Sequence, residues 1–361
     1  MPELDLQDRK RLVKDFLDEL LHSGGISAGV GLIGTTTEVL AVEAVGRAVE
    51  EPASIATQGT RFDLASLTKP VVATLALVLD ERGMLPLDRT VGEIFRRSHL
   101  RLQKRRLGQL LRHRSGLAPW TPLFARCESR SDALDLLLSG EVQSGDGETY
   151  SDLGYILWGF AAEDSLGTPL SQLLKEQLFV PLEIHNMTPS PGPRPEVAQC
   201  RLSNDKEIEL ARDQGFQIAP VRQIPQGTVQ DGNARFLGGM AGNAGLFGTA
   251  SSMWKLSREW LAPGRVLQKR EVAGALGYGE RYALGWWWRR QRGHAGPALS
   301  PRAFGMVGFT GGSCWSDPTT GLVAVLLTHR RSPTFDLAPW RRRFHRLAVD
   351  VVTDVPRALA S

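Results

Sequence analysis

Strand-like sequence lies at the two ends of this chain and almost nowhere between them. From Ala28 to Val49 the residues are small, apolar and β-branched, with a break around Thr35-Thr36-Thr37, the pattern of two strands. The pattern returns only after Gly264, in YALGWWW, MVGFTGGSCWSD and GLVAVLLTH. Between them, from about 85 to 265, short leucine-periodic segments such as LGQLLRH, ALDLLLSG, YILWGFAAE and LSQLLKEQLF read as helices. Further helical patterns cover 4–21, stopped by Gly24-Gly25, then 66–83, ended by Gly83, and the closing TFDLAPWRRRFHRLAVDVV. Two β-rich ends most economically form one sheet, which makes the middle block an inserted helical domain. Residues 1–84 with 266–361 are expected to form the sheet domain, and 85–265 the helical one.

The chain can fill such a core. Of its 361 residues, 42% are hydrophobic and 23% charged, which excludes a disordered chain, a collagen-like chain and a small disulfide-stapled fold. Forty-three basic against 39 acidic residues leave +4, too mild a balance to imply nucleic acid. Cys127, Cys200 and Cys314 are far apart with no CxxC pair, and seven histidines form no HExxH. No metal or cofactor is expected. The first 21 residues are charged and helical rather than signal-like, and the longest apolar runs, such as 71–79, are too short to span a bilayer. A soluble, cytoplasmic protein with no membrane or nucleic-acid partner is the expectation.

Several motifs invite a chemical reading that their context does not support. Gly29-Val30-Gly31-Leu32-Ile33-Gly34 matches GxGxxG, but a helix precedes it and strand-like TTTEVLAV follows, so close packing in a strand explains it better than a dinucleotide. The basic stretch at 96–106 is interleaved with leucines and reads as a solvated face; that at 341–346 is the other feature favouring nucleic acid. In a strand, Trp286-Trp287-Trp288 would alternate faces, with core packing the main role and a pocket wall the lesser.

Three elements carry chemistry together. Ser66-Leu67-Thr68-Lys69 is an S-x-x-K unit at a helix start, and i,i+3 spacing places the amine beside the hydroxyl. Serine needs such help to become a nucleophile, and a helix N-terminus favours a developing oxyanion. A second copy, Ser252-Met253-Trp254-Lys255, shows how weak the motif is alone; there the serine is expected to cap a helix. Tyr150-Ser151-Asp152, after the Gly-rich SGDGET, offers a proton relay. GMVGFTGGSCW at 305–315 offers a Gly-containing strand whose N–H can complete an oxyanion hole with that of Ser66.

In this order the motifs resemble the serine β-lactamase and penicillin-binding-protein superfamily, in its class-C-like branch of esterases and peptidases. The matching segments are FDLASLTKP, LLRHRSGL at 110–117, YSDLGYILWG, GGMAGNAGLFGTA at 238–250, and the glycine-rich run at 304–322. The resemblance spans about 28 to 333. It implies an α/β (α+β) fold, an antiparallel sheet flanked by helices plus an all-helical domain, with the site in the cleft between them. It also implies that Ser66 is the acylated nucleophile, Lys69 its proton partner, Tyr150 the general base and Asp152 the group orienting Lys69 and substrate. The backbone N–H groups of Ser66 and Phe309 would hold the oxyanion.

One departure bears on specificity. The superfamily's third motif, Lys-Thr-Gly or His-Thr-Gly, here reads Met306-Val307-Gly308. Methionine supplies neither the cation nor the N–H that would bind a substrate carboxylate from that cleft-facing position. Asn243 and His329 also replace the usual histidine and asparagine. The expectation is a serine hydrolase acting on a small uncharged acyl substrate, an ester or amide, with weak or no true β-lactamase activity. The alternative is an impaired relative that binds a ligand or partner. If carboxylate substrates are turned over, an arginine near 289–292 is the candidate anchor.

Overall fold

The computed structural model describes residues 4–145, 148–278, 280–290 and 293–354. Helix α1 (Leu6–His22) begins at Asp5, whose side chain accepts from the Asp8 amide, and buries Val13, Phe16, Leu17 and Leu20 at helical spacing. Strands β1 (Ile26–Gly34), β2 (Val39–Val49) and β3 (Ser54–Ile55) follow. Next come the short β4 (Phe62–Asp63) and helix α2 (Thr68–Glu81). The middle of the chain supplies helix α3 (Asp152–Leu166), β5 (Thr188–Pro189), β6 (Leu246–Gly248) and helix α4 (Ala250–Leu261), among shorter helices. It closes with β7 (Trp287–Trp288), β8 (Phe304–Val307), β9 (Ser313–Asp317), β10 (Leu322–Arg330) and helix α5 (Ala338–Thr353).

The two β-rich ends do form one sheet. Its seven strands run β3-β2-β1-β10-β9-β8-β7, all neighbours antiparallel. The join is β1 against β10, in register from Ala28↔His329 to Gly34↔Val323. Both strands are buried along almost their whole length, because α1 and α5 cover one face and α2 and α4 the other. At Gly31 a Cβ would lie 3.1 Å from both Val13 of α1 and Phe344 of α5. The GxGxxG run is thus a helix-packing seam within a strand.

Residues 246–261, placed by sequence in the helical block, pack with the sheet. α4 lies on β1, β9 and β10, and β6 joins β4 and β5 in a second, three-stranded sheet. That small sheet positions the site, since β4 leads directly into the turn bearing Ser66. No helix of the described residues is long and apolar enough to cross a membrane.

Candidate active site

Ser66 sits in a tight 3₁₀ turn, Ala65–Leu67, that feeds α2. From Phe62 to Leu79 it is the one residue that is not buried, so the turn offers a single hydroxyl to solvent. The turn is strained: Ala65 has φ +46°, a left-handed conformation costing an L-residue about 1–2 kcal/mol. Asp63 holds it there. One carboxylate oxygen accepts from the Ala65 amide at 2.9 Å and the other from the Gln230 amide at 2.7 Å. The Asp63 carbonyl accepts from Thr310 Oγ1 at 2.7 Å, tying the nucleophile turn to the end of β8. Nothing in the local sequence around Asp63 signals this role.

Burial pushes the Asp63 carboxyl up to about 6, against the pull of its two amide donors. A raised carboxyl stabilises the fold below its unfolded value, about 3.9, and that contribution is lost as pH rises through about 6. Asp63→Asn leaves one buried amide without an acceptor, an expected loss of about 1–3 kcal/mol in urea unfolding. The difference from the wild type should be larger at pH 5 than at pH 7. An equal penalty at both would refute the assignment.

Lys69, on the first turn of α2, is fully buried. Its ammonium donates to Ser66 Oγ at 2.9 Å and to the Asn243 carbonyl at 3.2 Å, and forms an ion pair with Asp152 Oδ1 at 2.7 Å. Burial alone would push Lys69 down, but the Asp152 carboxylate and Tyr150 more than reverse it and hold the amine above the ordinary lysine value. In this arrangement Lys69 is a donor to Ser66 Oγ, not a base.

Tyr150 supplies the remaining contact, its hydroxyl hydrogen-bonded to Ser66 and Lys69. Burial pushes the phenol up, Lys69 draws it down, Asp152 pushes it up again, and the balance lies above an ordinary tyrosine. The loop carrying it is fixed from below by His113. The ring Nδ1 accepts from the Ser151 amide at 3.0 Å, the His113 carbonyl accepts from the Thr149 amide at 3.1 Å, and the two rings lie 4.4 Å apart. This is the structural content of LLRHRSGL, to which sequence reasoning gave no role. Asp152 opens α3, where Ser151 caps the helix by accepting from the Gly154 amide. Asp146 and Gly147 of the preceding Gly-rich loop lie outside the described residues.

The third wall is the end of β8. β7 pairs only with Phe304 and Gly305, so the edge from Met306 onward is unpaired and runs beside the Ser66 turn. Gly308 is required by contact: a Cβ there would lie 2.7 Å from the Leu64 carbonyl. Among the described residues no protein acceptor takes the N–H of Ser66 or of Phe309, so both remain available to an oxyanion.

Met306 presents no surface to the cleft. It pairs with Cys314, whose Sγ lies 3.0 Å from Ser257 Oγ of α4, so strand alternation puts Met306 on the α2/α4 side of the sheet, where it is fully buried in the core. Val307, on the opposite face, is half-buried. Nor do Arg289 and Arg290 replace the missing cation: they donate to the Gly296 and Glu280 carbonyls, while Arg292 lies outside the described residues. Trp287 packs edge-on against Tyr150 at 5.5 Å, and Trp286 packs against Trp260 and Phe304. The tryptophan run therefore serves both the core and the site.

The second S-x-x-K is not a site. Thr249, rather than Ser252, caps α4; Ser252 is buried against the Thr249 hydroxyl at 3.0 Å, and Lys255 donates to the Glu183 carbonyl. The cap falls on Thr249 because its extended backbone leaves its hydroxyl to accept from the Ser252 amide three residues on. Among the described residues no group of three or more His, Cys, Asp or Glu side chains is arranged to hold a metal ion.

A family model described as Beta-lactamase matches residues 13–348. The N-acetylmuramyl-L-alanine amidase of Bacillus subtilis strain 168 is 29% identical over 330 residues, covering 80% of this chain and 72% of the amidase. Among solved structures, the beta-lactamase of Sulfitobacter sp. EE-36 superposes with a TM-score of 0.74 at 20% identity, covering 97% of this chain and 99% of that one. EstCE1, a hydrolase with promiscuous acyltransferase activity, gives 0.71 at 19% identity, covering 94% and 99%. At such identities the likeness is one of fold: a β-lactamase/transpeptidase-like antiparallel sheet flanked by helices.

Proposed function

This chain belongs to the beta-lactamase family, whose members are serine hydrolases, and on that premise we propose that it cleaves small uncharged esters or amides through an acyl-enzyme on Ser66. The observation that carries the reading is the Ser66 hydroxyl, set on a strained turn as its one incompletely buried residue and engaged by Lys69 at 2.9 Å. Ser66 Oγ attacks the carbonyl carbon as its proton passes to Tyr150, because the Lys69 donor occupies the other side of the oxygen. The oxyanion is received by the Ser66 and Phe309 amides. Collapse breaks the bond to the leaving alcohol or amine, which takes the proton back from Tyr150. Water, deprotonated by Tyr150, then releases the acid and restores Ser66. Asp152 keeps Lys69 charged and in place throughout.

Substrate class follows from β8. Neither Met306 nor Val307 offers a donor to a carboxylate, and a hydrogen bond to a charged group is worth about 1.5–3 kcal/mol, roughly ten- to a hundred-fold in rate. The relatives' names include an amidase and a hydrolase with promiscuous acyltransferase activity, which suits a reading in which an acyl group is transferred. Acetyl-ester hydrolysis is therefore expected to exceed benzylpenicillin hydrolysis in the wild type. Met306→His alone is not expected to move the ratio toward the penicillin, because that side chain has no exposed surface from which to reach a substrate carboxylate. Efficient penicillin hydrolysis by the wild type would overturn the specificity. Absence of any Ser66 adduct with either substrate, read by mass spectrometry, would instead favour a binding protein.

A further inference from the structure

The oxyanion-bearing turn is gripped from behind by a side chain of the far layer. Arg341, in the first turn of α5, is buried, and its Nη2 donates to the carbonyls of Gly311 at 2.9 Å, Gly312 at 3.2 Å and Gly308 at 3.5 Å. Among the described residues no carboxylate forms an ion pair with it, and its Nε has no partner. A buried guanidinium without an ion pair is costly, and an apolar residue of similar volume would pack the same space more cheaply. What the cation gains is three backbone carbonyls of one turn, Gly308 to Gly312.

We propose that Arg341 is a positioning residue for the reaction at Ser66, holding the 308–312 turn so that the Phe309 N–H is presented to the oxyanion. The proposal rests on the serine-hydrolase reading above. Its geometry follows from the peptide bond. The Gly308 carbonyl and the Phe309 N–H belong to one trans peptide unit and point in opposite directions, so a donor that takes the carbonyl from behind aims the amide forward. The same peptide is polarised by the nearby cation, which makes its N–H a better donor. From the front the turn is fixed by Thr310 Oγ1 on the Asp63 carbonyl and by the absence of a Cβ at Gly308. Arg341 supplies the opposing hold. Burial and the neighbouring Arg330 pull the guanidinium down to about 9, which leaves it charged at neutral pH.

Arg341→Met, Arg341→Lys and Arg341→Ala, measured beside the wild type, test this. The readouts are kcat and KM for an acetyl ester, the rate of Ser66 phosphonylation by a fluorophosphonate, and the melting temperature. Losing one oxyanion donor costs about 10²–10³-fold, and loosening one should cost about 10- to 100-fold. Arg341→Met is expected to lose that much in kcat and in phosphonylation rate with KM within about threefold of wild type, the signature of an interaction made in the transition state. Arg341→Lys should recover part of the loss, and added guanidinium ion should accelerate Arg341→Ala but not the wild type. A melting temperature lowered in Arg341→Met, with rates restored by neither lysine nor guanidinium, would assign Arg341 to stability alone and overturn the proposal. So would an Arg341→Met rate equal to that of a wild type that is itself acylated. A wild type that no probe acylates at Ser66 overturns the serine-hydrolase reading, and this proposal with it.

Discussion

Replacing Ser66 with alanine is expected to bring ester hydrolysis to background and to remove all fluorophosphonate label, whereas Ser252→Ala leaves both intact. Loss of a covalent nucleophile costs a serine hydrolase about 10⁴- to 10⁶-fold in kcat. The contrast is sharp because both serines begin an S-x-x-K. At Ser66 the lysine amine is 2.9 Å from the hydroxyl, and Ser66 alone of its turn is not fully buried. At Ser252 the hydroxyl is buried against Thr249, and its lysine turns away to the Glu183 carbonyl. What separates them is backbone, not spacing: the left-handed Ala65 lifts Ser66 out of the core, and nothing comparable precedes Ser252. Mass spectrometry of labelled wild type and both variants decides it. Label on Ser252, or full labelling of Ser66→Ala protein, would remove Ser66 from its role.

What was legible in the sequence is what local pattern dictates. Small, apolar and β-branched runs at the two ends form the sheet, and β1 beside β10 follows from burying both faces of each. Ordered motifs brought Ser66, Lys69, Tyr150 and Asp152 together, since each sits at an element boundary that its own residues define. Long-range contact was less legible. Met306 has the right place in the motif, but its orientation is set by pairing with Cys314, which a single strand does not reveal. Asp63 looked like an ordinary residue before the nucleophile, though its carboxylate and its carbonyl tie its own turn to two distant segments, at Gln230 and Thr310. Arg341 did carry a signal. It falls on the stripe of Phe344, His345 and Ala348, a charged residue at a core-facing position of a helix. The run of arginines at 341–346 masked it, because a basic stretch reads as solvated when its period is not checked.

The third-motif departure also bears on the base, through charge. Tyr150 must lose its proton to accept that of Ser66, and its phenol lies above the ordinary value near 10, so only a small fraction is ionised at pH 7. In the superfamily pattern a lysine or histidine of the third motif would join Lys69 near this hydroxyl; among the described residues the cation that draws the phenol down is Lys69. The raised Lys69 stays protonated across the same range and contributes no titration of its own. Wild-type kcat/KM is therefore expected to climb from pH 7 to pH 9 without a plateau. Glu207, pushed to about 7 by burial and Asp231, titrates within that window but binds the Gly232 amide rather than the reacting atoms. Tyr150→Phe separates the two. It should lower kcat by about 10²–10⁴-fold with KM little changed and flatten the rise, because the group that gains activity on ionising has been removed. A plateau reached below pH 7, or a Tyr150→Phe enzyme that keeps both rate and slope, would mean that another group takes the Ser66 proton.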